Sequence, residues 1–360
     1  MIKSIVLFIP SIESGGVEKN LFFISDYLSK KYKRIFIVTA NSDFKYKFNK
    51  NINVICPRSN KWIKKNRLIK TLIAIFLLLK NFLNKNILIF SFQSNISAIL
   101  VSKLFNFNII IRLNTSTKKY ITNYIKKIFF KFLYYFADEI IVNSVFFKKE
   151  LQNQLNLKSN VIFNPFKQSK KKVELKFFKN FKALKIINIG RLTDQKDQIT
   201  LLRCLKLLNK SKLQYKCCII GDGDKKEYLQ NYINSNNLEK LVRLIGYKKN
   251  AENYLNSADL FVLTSKFEGL PNVLLEAQSK NIPIISSDCP TGPREILLQG
   301  KLGDLFKVGD YRKLFYLILK FTKNKKILLQ KSKKAKKYLT RYDFRINNEK
   351  YYKIISNYTK

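Results

Sequence analysis

The sequence predicts an α/β protein of two domains, each built on a parallel sheet with helices on both faces. Three observations predict it. Short β-branched runs alternate with longer helical patterns; the alternation lapses once, in a Lys-rich stretch near the middle; and 360 residues exceed what one compact core usually holds.

In the first half, Ile5 to Ile9, Ile35 to Thr39, Ile52 to Cys56, Ile87 to Phe92, Asn108 to Arg112 and Ile140 to Asn143 are expected as buried strands, with helices such as Val17 to Leu28 and Lys65 to Phe82 between them. After a short strand at Val161 to Phe163, Asn164-Pro165 punctuates the pattern. The alternation restarts with strands at Leu184 to Ile189, Lys216 to Ile220, Val242 to Ile245, Leu260 to Leu263 and Ile284 to Ser286, separated by helices such as Gln198 to Leu208 and Pro271 to Ser279. Beyond Tyr311 the chain is expected to be helical. The organisation is therefore a first domain over residues 1–165, a linker over 166–182, a second domain over 183–340 and a final helix over 341–360 packing back on the first domain. Ligands of open α/β sheets bind at the carboxyl ends of strands, so two facing sheets imply an interdomain cleft.

A hydrophobic fraction of 46% and an aromatic fraction of 14% suffice for two cores and argue against a disordered chain. Lys+Arg 69 against Asp+Glu 24 gives 69 − 24 = +45. That sign favours polyanions, either nucleic acid or an anionic lipid surface, and equally fits a coding bias toward Lys, Asn, Ile, Phe and Tyr. No zinc knuckle, RNA-recognition signature or basic-zipper pattern accompanies the charge, so no specific nucleic acid is expected; a basic nucleic-acid-binding protein is the alternative reading. The odd count of five cysteines without paired metal spacing points to a reducing compartment, and the absence of histidine excludes His-based triads and His/Cys zinc sites. Met1 to Pro10 runs straight into a strand-like segment and does not read as a signal peptide. The longest apolar block, Leu72 to Leu79 between Lys70 and Lys80, falls short of the ~20 residues that span a bilayer.

The most informative segment runs from Lys266 through Glu268, Gly269, Leu270, Pro271 and Asn272 to Glu276 and Ala277. It follows a strand, Gly269 permits a turn, and Pro271 suits the first helical position, so Glu268 is expected on the loop and Glu276 inside the helix, roughly 7 Å along its axis from Pro271. Between the carboxylates lie the amides of the helix start, which favour an anion such as a diphosphate. At the end of another strand, Gly190 is followed by Arg191 and Lys196, two cations at the same carboxyl edge if the strands are parallel. Asp222-Gly223-Asp224 is expected as a tight turn without a bound ion, and Gly221 and Gly223 lack the third glycine of a dinucleotide fingerprint, because position 226 is Lys.

The Arg191/Lys196 segment, the Glu268/Glu276 pair and the loop Gly15-Gly16-Val17-Glu18 together resemble the large family of retaining GT-B glycosyltransferases that includes glycogen and sucrose synthases, over nearly the whole chain. Asp288-Cys289-Pro290-Thr291-Gly292-Pro293-Arg294-Glu295 further resembles bacterial members that build lipopolysaccharide, capsule or lipid-linked glycans, often from UDP-sugars. The resemblance implies a GT-B fold, two Rossmann-like parallel-sheet domains facing an interdomain cleft, and a hexosyltransferase-type enzyme that is retaining and needs neither metal nor cofactor. It implies that Arg191 and Lys196 bind the donor diphosphate, that Glu276 holds the ribose hydroxyls and that Glu268 lies near the transferred sugar. The backbone from Gly269 to Asn272, through Leu270 and Pro271, is implied to contact sugar or phosphate, Gly190 to end the strand beneath it, and Gly15-Gly16 to close over the diphosphate. Many members carry a histidine near the reacting sugar; the comparable loop here reads Ile111 to Ser116, with Arg112 and Asn114 expected as its replacements. An inverting transferase or a sugar-phosphate phosphorylase of the same fold is the remaining alternative, which the two glutamates disfavour by resemblance.

Lys118-Lys119-Tyr120 to Ala137 interleaves lysines with aromatics, and Lys65 to Phe82 is a second candidate of that kind. Such helices either rest in an anionic headgroup layer or cover the first sheet, and periodicity leaves both open. The expected partners are thus a nucleotide-sugar donor, a lipid-linked or glycan acceptor and an anionic membrane surface. The expected location is cytoplasmic, peripheral on the inner membrane.

Overall fold

The computed structural model describes residues 4–12, 15–62, 65–117 and 121–359, so Lys118, Lys119, Tyr120 and the first three positions lie outside the described residues. The chain divides into two compact units, one formed by the residues up to Pro165 together with those from Tyr342 onward, the other by Phe166–Arg341.

The first unit holds a parallel seven-stranded sheet of β1 (Ser4–Phe8), β2 (Ile35–Val38), β3 (Ile52–Ile55), β4 (Ile87–Ser91), β5 (Asn108–Leu113), β6 (Glu139–Val142) and β7 (Asn160–Val161), ordered β3-β2-β1-β4-β5-β6-β7. Its helices are α1 (Gly16–Leu28), α2 (Arg67–Phe82), α3 (Asn95–Leu104), α4 (Tyr124–Tyr135) and α5 (Val145–Leu155). The two-residue period of a strand sends Val6 and Phe8 to one side and Ile5 and Leu7 to the other. Ala74 of α2, Ala98 of α3, Tyr134 of α4 and Phe147 of α5 bury against the Val6 side, and Leu21 and Ile24 of α1 against the Ile5 side. Asn66 and Ser144 start α2 and α5 by accepting from Ile69 N at 3.0 Å and Phe147 N at 2.9 Å, which satisfies amides that a helix leaves open.

The second unit repeats the plan with β8 (Leu184–Ile189), β9 (Tyr215–Ile220), β10 (Val242–Gly246), β11 (Leu260–Leu263), β12 (Ile284–Ser287) and β13 (Asp304–Phe306), ordered β10-β9-β8-β11-β12-β13 and parallel throughout. It is covered by α6 (Gln198–Lys210), α7 (Lys226–Ser235), α8 (Asn272–Ser279), α9 (Gly292–Ile296), α10 (Tyr311–Lys323) and α11 (Lys325–Lys337). Two Rossmann-like parallel sheets are the architecture the sequence implied. In the second sheet the order reverses between β8 and β11, which places the two loops richest in expected site residues side by side at a topological switch point.

Two details depart from expectation. β13 is an edge strand of three residues with no β-branched run to announce it. The stretch 166–182 is no separate linker: Val173 N donates to Asn253 O at 2.9 Å, Leu175 N to Ser257 Oγ at 3.1 Å, and Leu175 and Phe178 are buried in the second unit. The last helix, α12 (Phe344–Thr359), packs on α1, with Tyr351 and Ile355 completing the core on the Ile5 side of the first sheet.

Candidate active site

The site is built on the second unit. β8 and β11 are parallel neighbours, so the loops that leave their carboxyl ends lie together. The first carries Gly190 to Asp197 and the second Thr264 to Pro271. They are stitched to each other: Lys266 N donates to Gln195 O at 2.8 Å, Gln195 Nε2 to Phe267 O at 3.0 Å and Thr264 Oγ1 to Lys196 O at 2.9 Å. The consequence is that Lys196 Nζ reaches Glu268 Oε1 at 2.5 Å, an ion pair in which Glu268 is 6% exposed. Ser265 Oγ donates to the same oxygen at 2.6 Å. The two donors satisfy a side chain that burial would otherwise leave unpaired.

Behind Glu268 stands the loop between β12 and α9. The Thr291 hydroxyl lies 2.6 Å from Glu268 O and 3.0 Å from Gly269 O, bridging both carbonyls. Thr291 adopts φ 76°, ψ −106°, a region costly for a β-branched residue, and the surrounding contacts hold it there. The next residue must be glycine: a Cβ at Gly292 would lie 2.1 Å from Gly269 O. On the other flank, Gly221 after β9 runs so close under the first loop that a Cβ would lie 1.8 Å from Gly190 O. The Asp222-Gly223-Asp224 segment forms the turn after β9, with Leu192 N donating to Asp222 O at 3.0 Å. Two glycines that began a failed fingerprint thus shape the Arg191 loop.

α8 begins at Asn272, with Pro271 as its cap rather than its first residue, a shift of one from expectation. Pro271 offers no side-chain cap to α8, and its carbonyl accepts from Leu274 N at 3.0 Å. Glu276, 8% exposed, lies one turn further along α8. Arg191 extends an exposed side chain from the β8 loop, and its carbonyl accepts from Gln198 Nε2 at 2.9 Å. Burial pushes the Asp197 carboxyl up despite the Thr200 hydroxyl and the Lys266 and Arg203 charges. Burial also pushes up the Cys289 thiol, and the neighbouring Glu268 carboxylate adds to the rise. The structure thus brings together Gly190, Lys196, Glu268, Gly269 and the α8 start, with Leu270 buried on the same loop. Ser265 and Thr291 escaped the sequence reading as site residues; their signal was only a hydroxyl three residues before Glu268 and another two after Cys289.

In the first unit Gly15 is the cap of α1 and Gly16 its first residue. The expectation that Arg112 offers donors to a sugar is corrected. Arg112 has no exposed surface: Nε donates to Tyr351 Oη at 2.9 Å, NH2 to Asn164 Oδ1 at 2.5 Å and NH1 to Asn114 Oδ1. Asn114 Nδ2 in turn donates to Phe92 O at 2.8 Å. This is a structural knot tying β5 to α12. A residue that sequence reasoning noted only as a boundary of the apolar block is Lys70 on α2; it is buried and donates to Ser11 Oγ at 3.3 Å.

Among the described residues no group of three or more His, Cys, Asp and Glu side chains is arranged to hold a metal, and no helix is long and apolar enough to cross a membrane.

The model of the family described as Glycosyl transferases group 1 matches residues 167–338. An uncharacterized glycosyltransferase of Methanocaldococcus jannaschii is 40% identical over 178 residues, 47% of this chain and 44% of that one, so this chain spans less than half of that relative's length. The N-acetylgalactosamine-N,N'-diacetylbacillosaminyl-diphospho-undecaprenol 4-alpha-N-acetylgalactosaminyltransferase of Campylobacter jejuni is 26% identical over 351 residues, 92% of this chain and 93% of the relative. The crystal structure of Anabaena HepE in complex with UDP-glucose is similar with a TM-score of 0.81 at 18% identity, covering 98% of this chain and 99% of that one, a likeness of fold. The matched segment takes in nearly all of the second unit: over it the chain is similar to the glycosyl transferases group 1 family, and its two parallel-sheet units have the GT-B fold.

Proposed function

We propose that this enzyme transfers a sugar, with retention at its anomeric carbon, from a UDP-sugar to a lipid-linked or lipopolysaccharide-type acceptor, working peripherally at the cytoplasmic face of the membrane. The observation that carries the reading is the Lys196–Glu268 pair at the start of α8, on the switch point of the second sheet.

In this reading the donor diphosphate lies on the first-turn amides of α8, with Arg191 and Lys196 beside it and Glu276 on the ribose hydroxyls. The acceptor hydroxyl forms a bond to the anomeric carbon as the bond from that carbon to the phosphate oxygen breaks. The hydroxyl proton passes to the departing diphosphate, which acts as its own base. Charge on the leaving diphosphate is the largest electrostatic problem of the step, and each pre-placed donor lowers the barrier by ~3 kcal/mol. Arg191, Lys196 and the helix start supply that stabilisation without a divalent metal. Glu268, held by Lys196, Ser265 and the bridged backbone, is pre-set to accept from sugar hydroxyls. The UDP-glucose in the HepE structure and the undecaprenol-linked substrate in the name of the Campylobacter relative, each said of those proteins, support the choice of donor and acceptor classes.

The test is a thermal-shift panel of UDP-, GDP- and ADP-sugars, followed by transfer in the presence of EDTA and assignment of the product anomer by NMR. The UDP series stabilises most, chelation leaves the rate unchanged and the donor anomer is kept. A dominant GDP or ADP response, loss of turnover in EDTA or an inverted anomer overturns the corresponding part.

A further inference from the structure

α4 presents its apolar stripe to the outside. Of its twelve residues only Leu133 and Tyr134 are buried, and these anchor it to the first sheet. At about 100° per residue, Ile125, Ile128, Phe129 and Phe132, with Phe136 just past the helix end, fall on one stripe turned away from those anchors. The first four are 77%, 52%, 51% and 60% exposed. Lys126 and Lys131 lie about 60° beyond the two edges of the stripe and Lys127 nearer the opposite side, all three exposed. Of the aromatics that the sequence left to choose between sheet and solvent, Tyr124, Phe129, Phe132 and Tyr135 face solvent, while Phe130 and Tyr134 pack on the sheet.

The neighbouring helices continue the surface. α3 packs on α4 and α2 on α3, and all three cover the same side of the first sheet. Leu104 ends α3 exposed, and Leu68, Leu72 and Phe76 form an exposed ridge at four-residue spacing on α2. Apolar surface this extensive on a soluble face marks an interaction site. Its charge selects the partner. No Asp or Glu occurs in α2, α3 or α4, while Arg67, Lys80, Lys126, Lys127 and Lys131 do; Lys103 of α3 pairs with Asp138 at 3.4 Å. A second copy of the same face would set those cations against one another. A bilayer with anionic headgroups accepts them, and takes the aromatic and aliphatic stripe into the boundary between headgroups and acyl chains.

We infer that the outer face of α2, α3 and α4 is a docking surface for an anionic lipid bilayer, with the α4 stripe inserted and its lysines at headgroup level. The inference rests on the proposed use of a membrane-borne acceptor and names the surface that meets the membrane.

Co-sedimentation of the full chain with vesicles of phosphatidylcholine alone, or of phosphatidylcholine with phosphatidylglycerol, tests it. Binding to the anionic vesicles is expected to be about tenfold or more tighter and to weaken with salt. The double substitution Phe129→Ser with Phe132→Ser lowers it about tenfold, and Lys126→Glu with Lys127→Glu and Lys131→Glu erases the preference for phosphatidylglycerol. These side chains lie outside the core, so both variants keep the parent melting temperature. Equal binding to the two vesicle types, or binding unchanged in both variants, overturns the inference. So does a concentration-dependent dimer that the phenylalanine variant abolishes while neither protein binds vesicles, since the face then belongs to a second copy. UDP-sugar thermal shifts on the same variants keep the two readings apart: an intact shift with lost vesicle binding marks failure of docking alone, and vesicle binding without any donor shift marks failure of the transferase reading alone.

Discussion

Lys196 and Glu268 stand 72 residues apart in sequence and 2.5 Å apart in the fold, so the cation expected on the diphosphate and the carboxylate expected on the sugar hold each other in place. Lys196→Ala leaves the Glu268 carboxylate buried with a lone hydroxyl donor, and the loss of a buried partner costs about 3–5 kcal/mol of stability. Glu268→Gln keeps an oxygen for Ser265 and costs less, ~1–2 kcal/mol. Either substitution lowers turnover by about 100-fold or more. Urea unfolding alongside the transfer rate checks both; equal stability of Lys196→Ala and the parent refutes the energetic account.

Glu276→Ala is expected to abolish the thermal shift given by UDP-sugars. A carboxylate accepting from two ribose hydroxyls contributes about 10- to 100-fold in affinity through charge-assisted hydrogen bonds. Isothermal titration with UDP reads it directly. Affinities equal in variant and parent remove Glu276 from the nucleotide.

Thr291 positions the Glu268 loop without needing to touch the donor. Thr291→Val keeps the shape and deletes the hydroxyl that bridges Glu268 O and Gly269 O, so KM for the donor rises about tenfold while stability falls by ~1–2 kcal/mol. Thr291→Ser restores both. Were the serine variant as impaired as the valine one, the hydroxyl would have no part in the effect.

The Asp197 carboxyl has its pKa raised, chiefly by burial, at a residue with φ 49° that opens α6. A folded-state value above the ordinary one means that the ionised form is disfavoured in the fold. The associated stability is complete below 3.8, the ordinary aspartate value, and is lost as the pH rises through the raised value. Asp197→Asn escapes that loss, tolerates the left-handed backbone and still accepts from Thr200. The variant has the higher urea midpoint at pH 7, and the gain shrinks as the pH approaches 3.8. A lower midpoint at pH 7 contradicts the assignment.

The strands were legible because Ile, Val, Leu and Phe runs buried on both faces look alike wherever they occur, from Ile87–Ser91 to Leu260–Leu263. Asp304–Phe306 was not, since three residues at a sheet edge carry no pattern. The loop of Glu268 and the helix of Glu276 could be read from local spacing. Contacts between distant segments could not: nothing near Arg112 in sequence reveals Tyr351, and nothing near Glu268 reveals Thr291. The outward turn of the α4 stripe was equally hidden, because a periodic helix has the same sequence whether its aromatics meet a sheet or solvent.

Tyr351 fills the interior of a unit whose strands were all laid down before Pro165. During synthesis, Phe166–Arg341 is therefore a continuous segment able to close its own sheet, while Arg112 waits for a phenol that leaves the ribosome only after that whole segment has been made. The half translated first matures last, and until then its guanidinium lacks one of the acceptors around which the interior is organised.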